Sequence, residues 1–275
     1  MWHLSGFADE ISPDLDEQLA LVAELGLRFI ELRSVWDTNV LDLDEAQLDR
    51  VRAALAVSGI KVSSIGSPIG KIPITADHGP HLDRAQHALE VAAFFEAPFI
   101  RMFSYFMPEG DDPDAYRDEV IARLRAIAAL AEGTGVTLIH ENEKEIFGDI
   151  PRRCLDIVTS VASSALQLTW DNANFVQCGV RPFTEGYQAL SPHVRYLQIK
   201  DALLADGTVV PAGEGDGELR ETLRAFAADG FSGFVSLEPH LGFGHSLGGF
   251  SGPENWRRAH AALTRLLDAE GIDYD

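Results

Sequence analysis

Short apolar runs alternate along the whole chain with longer segments in which apolar residues recur at helical spacing. Eight runs have the length and composition of buried strands, at 4–7, 29–32, 61–65, 99–103, 137–140, 166–170, 196–199 and 234–237. Strands that are buried on both faces read as nearly continuous apolar runs, and their alternation with helices is typical of a parallel sheet. The pattern therefore predicts eight successive strand-and-helix units.

Helical spacing predicts helices in the segments between and after these strands, at 15–25, 44–57, 82–95, 114–132, 151–161, 184–190, 219–229 and 253–269. The first carries an apolar stripe that includes Leu19 and Val22, and it ends before Gly26, which is a common helix-stop residue. Pro151 and Pro253 stand where the first turn of a helix tolerates proline. These signals set the helix boundaries.

No internal repeat, low-complexity stretch or linker divides the 275 residues. A barrel of eight strand-and-helix units typically takes about 250 residues. The sequence therefore predicts an α/β protein with one domain over residues 1–275, a single (β/α)8 TIM barrel. The alternative is an open, doubly wound sheet, but the glycine motif that usually follows its first strand is missing.

The formal net charge of −21 bears on the class of partner. No block rich in lysine or arginine interrupts the acidic background, so the electrostatic requirement for binding a nucleic-acid backbone is not met. An anionic small molecule is still compatible as a binding partner, because local cations inside a cleft can outweigh the mean charge of the protein. The candidates for such a local field are Arg33, Lys71, Arg101, Lys144 and Lys200.

Cysteine content and the N-terminal sequence bear on the cellular compartment. Cys154 and Cys178 cannot form a disulfide framework for a chain of this size, and neither shows paired spacing for a metal. The first ten residues lack a basic start followed by an apolar stretch, and no run of about 18 apolar residues occurs. We expect a cytoplasmic protein with no membrane partner.

Four of the strand runs end on side chains with oxygen ligands: Glu141, Asp171, Gln198 and Glu238. The carboxyl ends of the strands of a parallel barrel meet at one mouth, so these groups should converge. Converging carboxylates repel one another unless a cation lies among them, which predicts one divalent metal held by these four residues. The alternative for each residue alone is a helix N-cap or a solvated loop position.

Oxygen donors favour Mn²⁺ or Mg²⁺ over a zinc site built from imidazole and thiolate, although Zn²⁺ stays possible. Mn²⁺ is the first choice. His140 and His240 flank two of the ligands and could instead support a ligand or contact the substrate. Two glutamates on opposite sides of a substrate suit proton abstraction next to a carbonyl, and this predicts Glu141 and Glu238 as the catalytic pair.

Further polar residues near the strand ends are candidates for contacts with substrate hydroxyls. They are Arg101, Glu143, Asn174, Lys200 and Asp201, whereas surface ion pairs or caps are favoured for Glu10 and Glu31. The glycine-rich segment 211–217 follows the seventh strand. It is interpreted as a loop that shapes the site, with Glu214 as a substrate contact, rather than as a phosphate cradle, because Glu214 and Asp216 would repel a phosphate.

Several of these motifs together resemble a known family. They are His140-Glu141-Asn142, the run from Trp170 to Phe175, Gln198-Ile199-Lys200-Asp201, Pro211 to Gly215, and Ser236 to His240. They look like the sugar phosphate isomerase/epimerase family with the xylose isomerase-like TIM barrel, and are similar to the ketose 3-epimerases and inosose isomerases. The resemblance covers nearly the whole chain.

The resemblance implies a divalent metal, usually manganese, held at positions 141, 171, 198 and 238, with the two glutamates exchanging a proton. This sequence departs from the family pattern at two positions. Family members commonly have His where Gln198 stands, and the epimerases often have His where Asn174 stands. Metal affinity and reaction type are therefore the properties that these departures affect.

The leading hypothesis is a metal-dependent isomerase or epimerase of a small sugar, keto-sugar or polyol, acting through a metal-stabilised enediolate. If a leaving group lies β to the acidic carbon, the same proton abstraction leads to elimination, so the alternative is a metal-dependent lyase or dehydratase acting on a keto-glycoside or a related substrate. A noncatalytic sugar-binding barrel is the nonenzymatic alternative. The expected partner is a small carbohydrate, and a homo-oligomer is an open expectation.

Overall fold

The computed structural model describes residues 1–242 and 249–275, and its centre is a sheet of eight parallel strands. The strands are β1 (Trp2–Gly6), β2 (Phe29–Leu32), β3 (Lys61–Ile65), β4 (Phe99–Met102), β5 (Thr137–Glu141), β6 (Leu166–Asp171), β7 (Val194–Ile199) and β8 (Gly233–Leu237). All eight predicted strands are confirmed, and their boundaries differ from the prediction by at most two residues.

The strands follow the order β1, β8, β7, β6, β5, β4, β3, β2 around the sheet. Each is thus beside its neighbour in the chain, and an isolated parallel bridge between Phe7 and Glu31 joins the two ends of the sheet. The sheet forms a nearly closed barrel with helices between the strands. This confirms the predicted α/β TIM barrel over the doubly wound alternative.

Nine α-helices lie among the described residues: α1 (Leu15–Glu24), α2 (Glu45–Ser58), α3 (Gly79–Phe94), α4 (Arg117–Ala131), α5 (Pro151–Val161), α6 (Asn172–Gln177), α7 (Pro182–Leu190), α8 (Leu219–Ala228) and α9 (Gly252–Glu270). Eight of them were predicted. The additional helix, α6, is only six residues long and starts directly after β6. It is too short to show a helical period in the sequence.

Local signals explain where these helices begin. The Asp14 side chain accepts hydrogen bonds from two N–H groups at the start of α1, and Asp44 and Gln47 form a reciprocal capping box at the start of α2. Pro151 lies in the first turn of α5 as expected. None of the helices among the described residues is long and apolar enough to span a membrane.

The barrel interior is layered. At the amino end of the strands, aromatic rings fill the lumen: the Phe29 and Phe234 ring centroids lie 4.9 Å apart, and Phe99 lies 6.1 Å from Phe234. Above them the Ser63 hydroxyl lies 2.7 Å from Ser5 Oγ and 2.8 Å from Tyr196 Oη. A packed base and a hydroxyl layer thus support the carboxyl-end mouth, where enzymes with this fold place their sites.

Candidate metal and acid-base site

Three carboxylates converge at the mouth of the barrel. Glu141 is the last residue of β5, Asp171 is the last residue of β6, and Glu238 follows β8. One oxygen atom of each lies within 4.8 Å of the other two, and all three side chains are buried. Gln198 of β7 is in register with Asp171 on one side and with Ser236 on the other. The three predicted carboxylates thus converge, and strand pairing places Gln198 beside Asp171, whereas its role as a ligand stays a prediction.

The buried oxygen atoms at this site fit a cation. Glu141 Oε2, Asp171 Oδ2 and Gln198 Oε1 accept no hydrogen bond from the described part of the chain. Buried acceptors are nearly always satisfied in folded proteins, so the unpartnered Gln198 Oε1 needs a donor or a cation. Glu141 Oε2 and Asp171 Oδ2 have only ion-pair contacts at 3.2 Å, with Arg101 and Lys200, and can accept a further partner. A divalent cation with a preference for oxygen ligands meets that need. The donor set therefore fits the metal that the sequence predicts.

Buried cations also contact the carboxylates, Lys200 and Arg101 among them. Lys200 Nζ donates a hydrogen bond to Glu238 Oε2 at 2.8 Å and lies 3.2 Å from Asp171 Oδ2. Arg101 Nη1 lies 3.2 Å from Glu141 Oε2 and 3.5 Å from Glu238 Oε1. The prediction that Arg101 and Lys200 belong to the mouth of the barrel agrees with these positions, whereas contact with a substrate stays a prediction.

Arg33 was predicted only as a candidate cation inside a cleft, and Phe7 was not predicted at the site, although both contribute to it. Arg33 Nη1 donates to Glu238 Oε1 at 3.2 Å, and its Nε donates to Asp9 at 2.7 Å. The guanidinium carbons of Arg33 and Arg101 lie 4.5 and 4.9 Å from the centroid of the Phe7 ring. Phe7 directly follows β1 and Arg33 directly follows β2, and this place at a strand end was the available signal.

The surroundings push the acidities of the two predicted catalytic glutamates apart. Burial raises the pKa of Glu141 to about 8, although Arg101 acts in the opposite direction. Burial also acts to raise the pKa of Glu238, but Lys200, His240 and Arg101 outweigh it, and the pKa lies well below its usual range. Burial raises the pKa of Asp171 to about 6 against the effect of Lys200. Separated acidities are typical of acid-base pairs.

Glu31 was expected on the surface, and this expectation is wrong. Its side chain is buried inside the barrel, where Gln198 Nε2 donates to Glu31 Oε1 at 3.2 Å and Ser236 Oγ donates to Oε2 at 2.8 Å. Burial raises the pKa of Glu31 to about 7. The hydrogen bonds occupy the Gln198 amide nitrogen and leave its oxygen as the atom available to a metal.

Glu10 was also expected on the surface but is fully buried beside the site. It accepts hydrogen bonds from the His240 backbone N–H at 2.8 Å and from Ser251 Oγ at 2.8 Å. The ring atom His240 Nε2 lies 3.3 Å from both Glu10 Oε1 and Glu238 Oε1. His240 therefore lies at the mouth between Glu10 and Glu238, and its contact with a substrate stays a prediction.

Asn174 holds Glu141 in place. Its Nδ2 donates to Glu141 Oε1 and to the Asn142 carbonyl, both at 2.9 Å, and its backbone N–H donates to Asp171 Oδ1 at 2.8 Å. Asp171 is thus a helix N-cap for α6 through one oxygen and keeps the other for the site. Asp171 can therefore be a helix N-cap and still offer an oxygen to a metal, so the two interpretations from the sequence are compatible.

Three residues predicted to bind substrate are oriented away from the carboxylate cluster. His140 is on the opposite face of β5 from Glu141, packed against Gly148 and enclosed with Cys154, and burial lowers its pKa to about 3. Glu214 is exposed and pairs with Arg258 at 3.2 Å. For these two residues, the predicted substrate contact is not supported by their positions.

Asp201 is the third predicted substrate-binding residue that is oriented away from the carboxylate cluster. Its carboxylate accepts hydrogen bonds from the N–H groups of Gly213, Gly215 and Gly217 at 2.9 to 3.0 Å and from Ala202 at 2.9 Å. A Cβ atom at Gly215 or Gly217 would lie within 2.6 Å of Asp201 Oδ1, which explains the glycines. Asp201 organises the glycine-rich loop beside the site, and its oxygens are fully used.

Residues 19–266 match the family model described as xylose isomerase-like TIM barrel. No curated protein matches the chain. A D-tagatose 3-epimerase-like protein has 15% sequence identity and a TM-score of 0.79, with 98% of each chain covered.

Two further solved structures share the fold. One is a xylose isomerase-like TIM barrel protein from Mycobacterium smegmatis in complex with magnesium, with 20% identity, a TM-score of 0.73, and coverage of 98% of this chain and 97% of that one. The other is the probable 3-DHS dehydratase AsbF of Bacillus anthracis, with 19% identity, a TM-score of 0.75, and coverage of 96% and 99%. Because the family model matches most of the chain, this protein belongs to the xylose isomerase-like TIM barrel family.

Proposed function

We propose that this protein is a divalent-metal-dependent isomerase or epimerase of a small sugar, keto-sugar or polyol. The observation that carries the proposal is the pair of buried glutamates, Glu141 and Glu238, which come from strands that are not neighbours and meet at the mouth of the barrel. In the metal-free protein the pKa of Glu141 is raised and that of Glu238 is lowered, and such a separation suits one group that donates a proton and another that accepts one.

The metal would be held by Glu141, Asp171, Gln198 and Glu238. Mn²⁺ is our first choice, with Mg²⁺ and Zn²⁺ as alternatives; oxygen-only donors support a hard cation, and one relative with this fold was crystallised with magnesium. When bound, the ion supplies positive charge beside a substrate carbonyl oxygen and lowers the pKa of the carboxylates that hold it.

The chain's own side chains prepare the proton transfer. Arg101 and His240 contact Glu238 and favour its ionised form, so Glu238 is ready to accept a proton from the carbon next to the carbonyl. Asn174 and Arg101 contact the two oxygens of Glu141 and so orient it for returning a proton. We propose that Lys200, Arg101 and His240 also contact the substrate, since all three are at the mouth.

The test is proton exchange in D₂O with the Mn²⁺-loaded protein and a panel of ketoses, keto-sugars and polyols. A substrate should take up solvent deuterium at the isomerised carbon. Glu141→Gln and Glu238→Gln should each lower turnover by about 10² to 10⁴, because each keeps an oxygen but removes the acid-base group. Glu221→Gln, on the exposed face of α8, is the matched control and should retain the parent rate.

Two results would contradict the proposal. If no member of the panel exchanged a carbon-bound proton in the metal-loaded protein, the barrel would be a binding module. If Glu238→Gln turned over at the parent rate while loaded with metal, Glu238 would be a ligand only.

Elimination is the second candidate, because a dehydratase relative has the same fold and the same proton abstraction starts both reactions. The D₂O experiment separates the two outcomes. An isomer that carries deuterium supports isomerisation or epimerisation, whereas an unsaturated product with loss of water or of another leaving group supports a lyase.

A further inference from the structure

Lys200 lies between two of the proposed metal ligands. Its ammonium group donates a hydrogen bond to Glu238 Oε2 at 2.8 Å and lies 3.2 Å from Asp171 Oδ2. The lysine side chain is 3% exposed and both carboxylates are buried to a similar degree. The ammonium therefore supplies positive charge at the oxygens that a divalent ion would also use.

An ion and the ammonium cannot both bind these oxygens without repulsion. With the 3.2 Å between Asp171 Oδ2 and Lys200 Nζ, a metal-oxygen bond of about 2.1 Å would leave an ion held by that oxygen no more than about 5.3 Å from the ammonium. This distance is shorter than the Debye length of about 8 Å at physiological ionic strength, and buried charges are screened less than exposed ones. This repulsion lowers the affinity of the carboxylates for the ion, and movement of one of the two cations would relieve it.

We propose that the Lys200 ammonium competes with the divalent cation for Asp171 and Glu238 and thereby sets the affinity of the metal site. The proposal rests on the metal-dependent function proposed above. In the metal-free protein the ammonium neutralises the carboxylates. On metal binding it withdraws from them, and its N–H donors become available to a substrate oxygen.

Among the buried cations of the site, Lys200 is the one suited to move. Its ammonium is carried on a flexible four-carbon stem. The Arg101 guanidinium, by contrast, lies 4.9 Å from the centroids of both the Phe7 and Phe103 rings, which hold it in place. The backbone beyond Lys200 is fixed by the four hydrogen bonds to Asp201, so withdrawal involves the lysine side chain alone.

The experiment measures Mn²⁺ affinity from the EPR signal of free Mn²⁺ and requires no turnover. Lys200→Met removes the competing charge and should bind Mn²⁺ at least tenfold more tightly than the parent. Its metal-free form should melt at a lower temperature, and Mn²⁺ should raise its Tm by more than it raises that of the parent. Lys71→Met is the matched control: Lys71 contacts Glu143 at 3.3 Å, outside the carboxylate triad, and its loss should change the affinity less than twofold.

The outcomes separate this inference from the function on which it rests. Unchanged or weaker Mn²⁺ affinity in Lys200→Met, with binding by the parent, overturns the competition and leaves the metal site standing. Absence of Mn²⁺ binding by both folded proteins overturns the metal site and the competition together. If Lys200→Met does not fold, Lys200→Gln, which keeps a polar group without the charge, must show the same tighter binding or the proposal is wrong.

Discussion

Asp201→Ala should destabilise the protein through the loop that Asp201 organises. The carboxylate is 1% exposed and accepts four backbone N–H groups. Alanine removes every acceptor at once. The loop 211–217 would then lose the contacts that fix its path beside the mouth of the barrel.

The magnitude follows from the position of each donor. The N–H groups of Ala202 and Gly217 are in buried surroundings, and an unsatisfied buried group costs about 1–3 kcal/mol. Those of Gly213 and Gly215 are only partly buried, so water can replace the lost acceptor. Burial raises the pKa of Asp201 even with its four donors, which means that removing the charge recovers part of the cost. We expect a loss of about 2 to 4 kcal/mol in the free energy of unfolding.

Urea denaturation at pH 7 measures this loss, and limited proteolysis reports whether cleavage moves to residues 211–217. Asp201→Asn keeps one acceptor oxygen but turns an amide toward N–H donors, so its stability should lie between the parent and Asp201→Ala. Asp206→Ala is the control, because Asp206 is exposed and accepts one backbone N–H from Thr208. A loss in Asp201→Ala below about 1 kcal/mol, or no larger than in the control, would refute the reasoning.

Three further predictions concern the site and its support. Gln198→Leu should weaken Mn²⁺ binding and Gln198→His should retain or tighten it, as measured by calorimetry; equal affinities in all three proteins would show that position 198 does not coordinate. The folded-state pKa of Glu31 is raised from 4.5 to about 7, so its contribution to the stability of the metal-free protein is present below about pH 4.5 and lost as the pH rises through 7. Urea titrations of the parent and Glu31→Gln should therefore differ in slope across this window, and parallel curves would contradict the assignment. Gly148→Ala would place a Cβ atom 2.4 Å from His140 Cε1 and should cost about 1–3 kcal/mol, whereas Gly79→Ala, whose Cβ would meet its nearest neighbour at 3.6 Å, should be close to neutral in thermal denaturation.

The fold could be predicted because the spacing of apolar residues along the chain indicates each strand and each long helix. Each barrel strand is a short apolar run and each long helix shows its own period, so element types and order follow from the sequence. The convergence of Glu141, Asp171 and Glu238 also follows, since the ends of parallel strands share one edge. Helix α6 escaped prediction because six residues are too few for a period.

The roles of other residues near the site could be predicted only in part from the apolar and polar pattern of the sequence. Alternation along β5 places His140 and Glu141 on opposite faces, so the sequence already argued against a site role for His140 once Glu141 was assigned. The role of Asp201 depends on how the glycine loop folds back, and that of Glu10 depends on a contact with His240, which is 230 positions away. Long-range contacts of this kind leave no local signal.

The closure between β1 and β2 gives the barrel a seam. Seven pairs of neighbouring strands share ladders, whereas within the described chain β1 and β2 meet through one bridge, between Phe7 and Glu31. The Glu31 side chain also accepts hydrogen bonds across the lumen from Gln198 and Ser236. These bonds stabilise the seam, where few backbone hydrogen bonds join the two strands. Breathing motions of the native barrel should begin at this seam, with amide protons of β2 exchanging with solvent sooner than those of β6. A ligand that binds Gln198 should therefore change the frequency with which the barrel opens between β1 and β2, and hence the rate of amide exchange in β2.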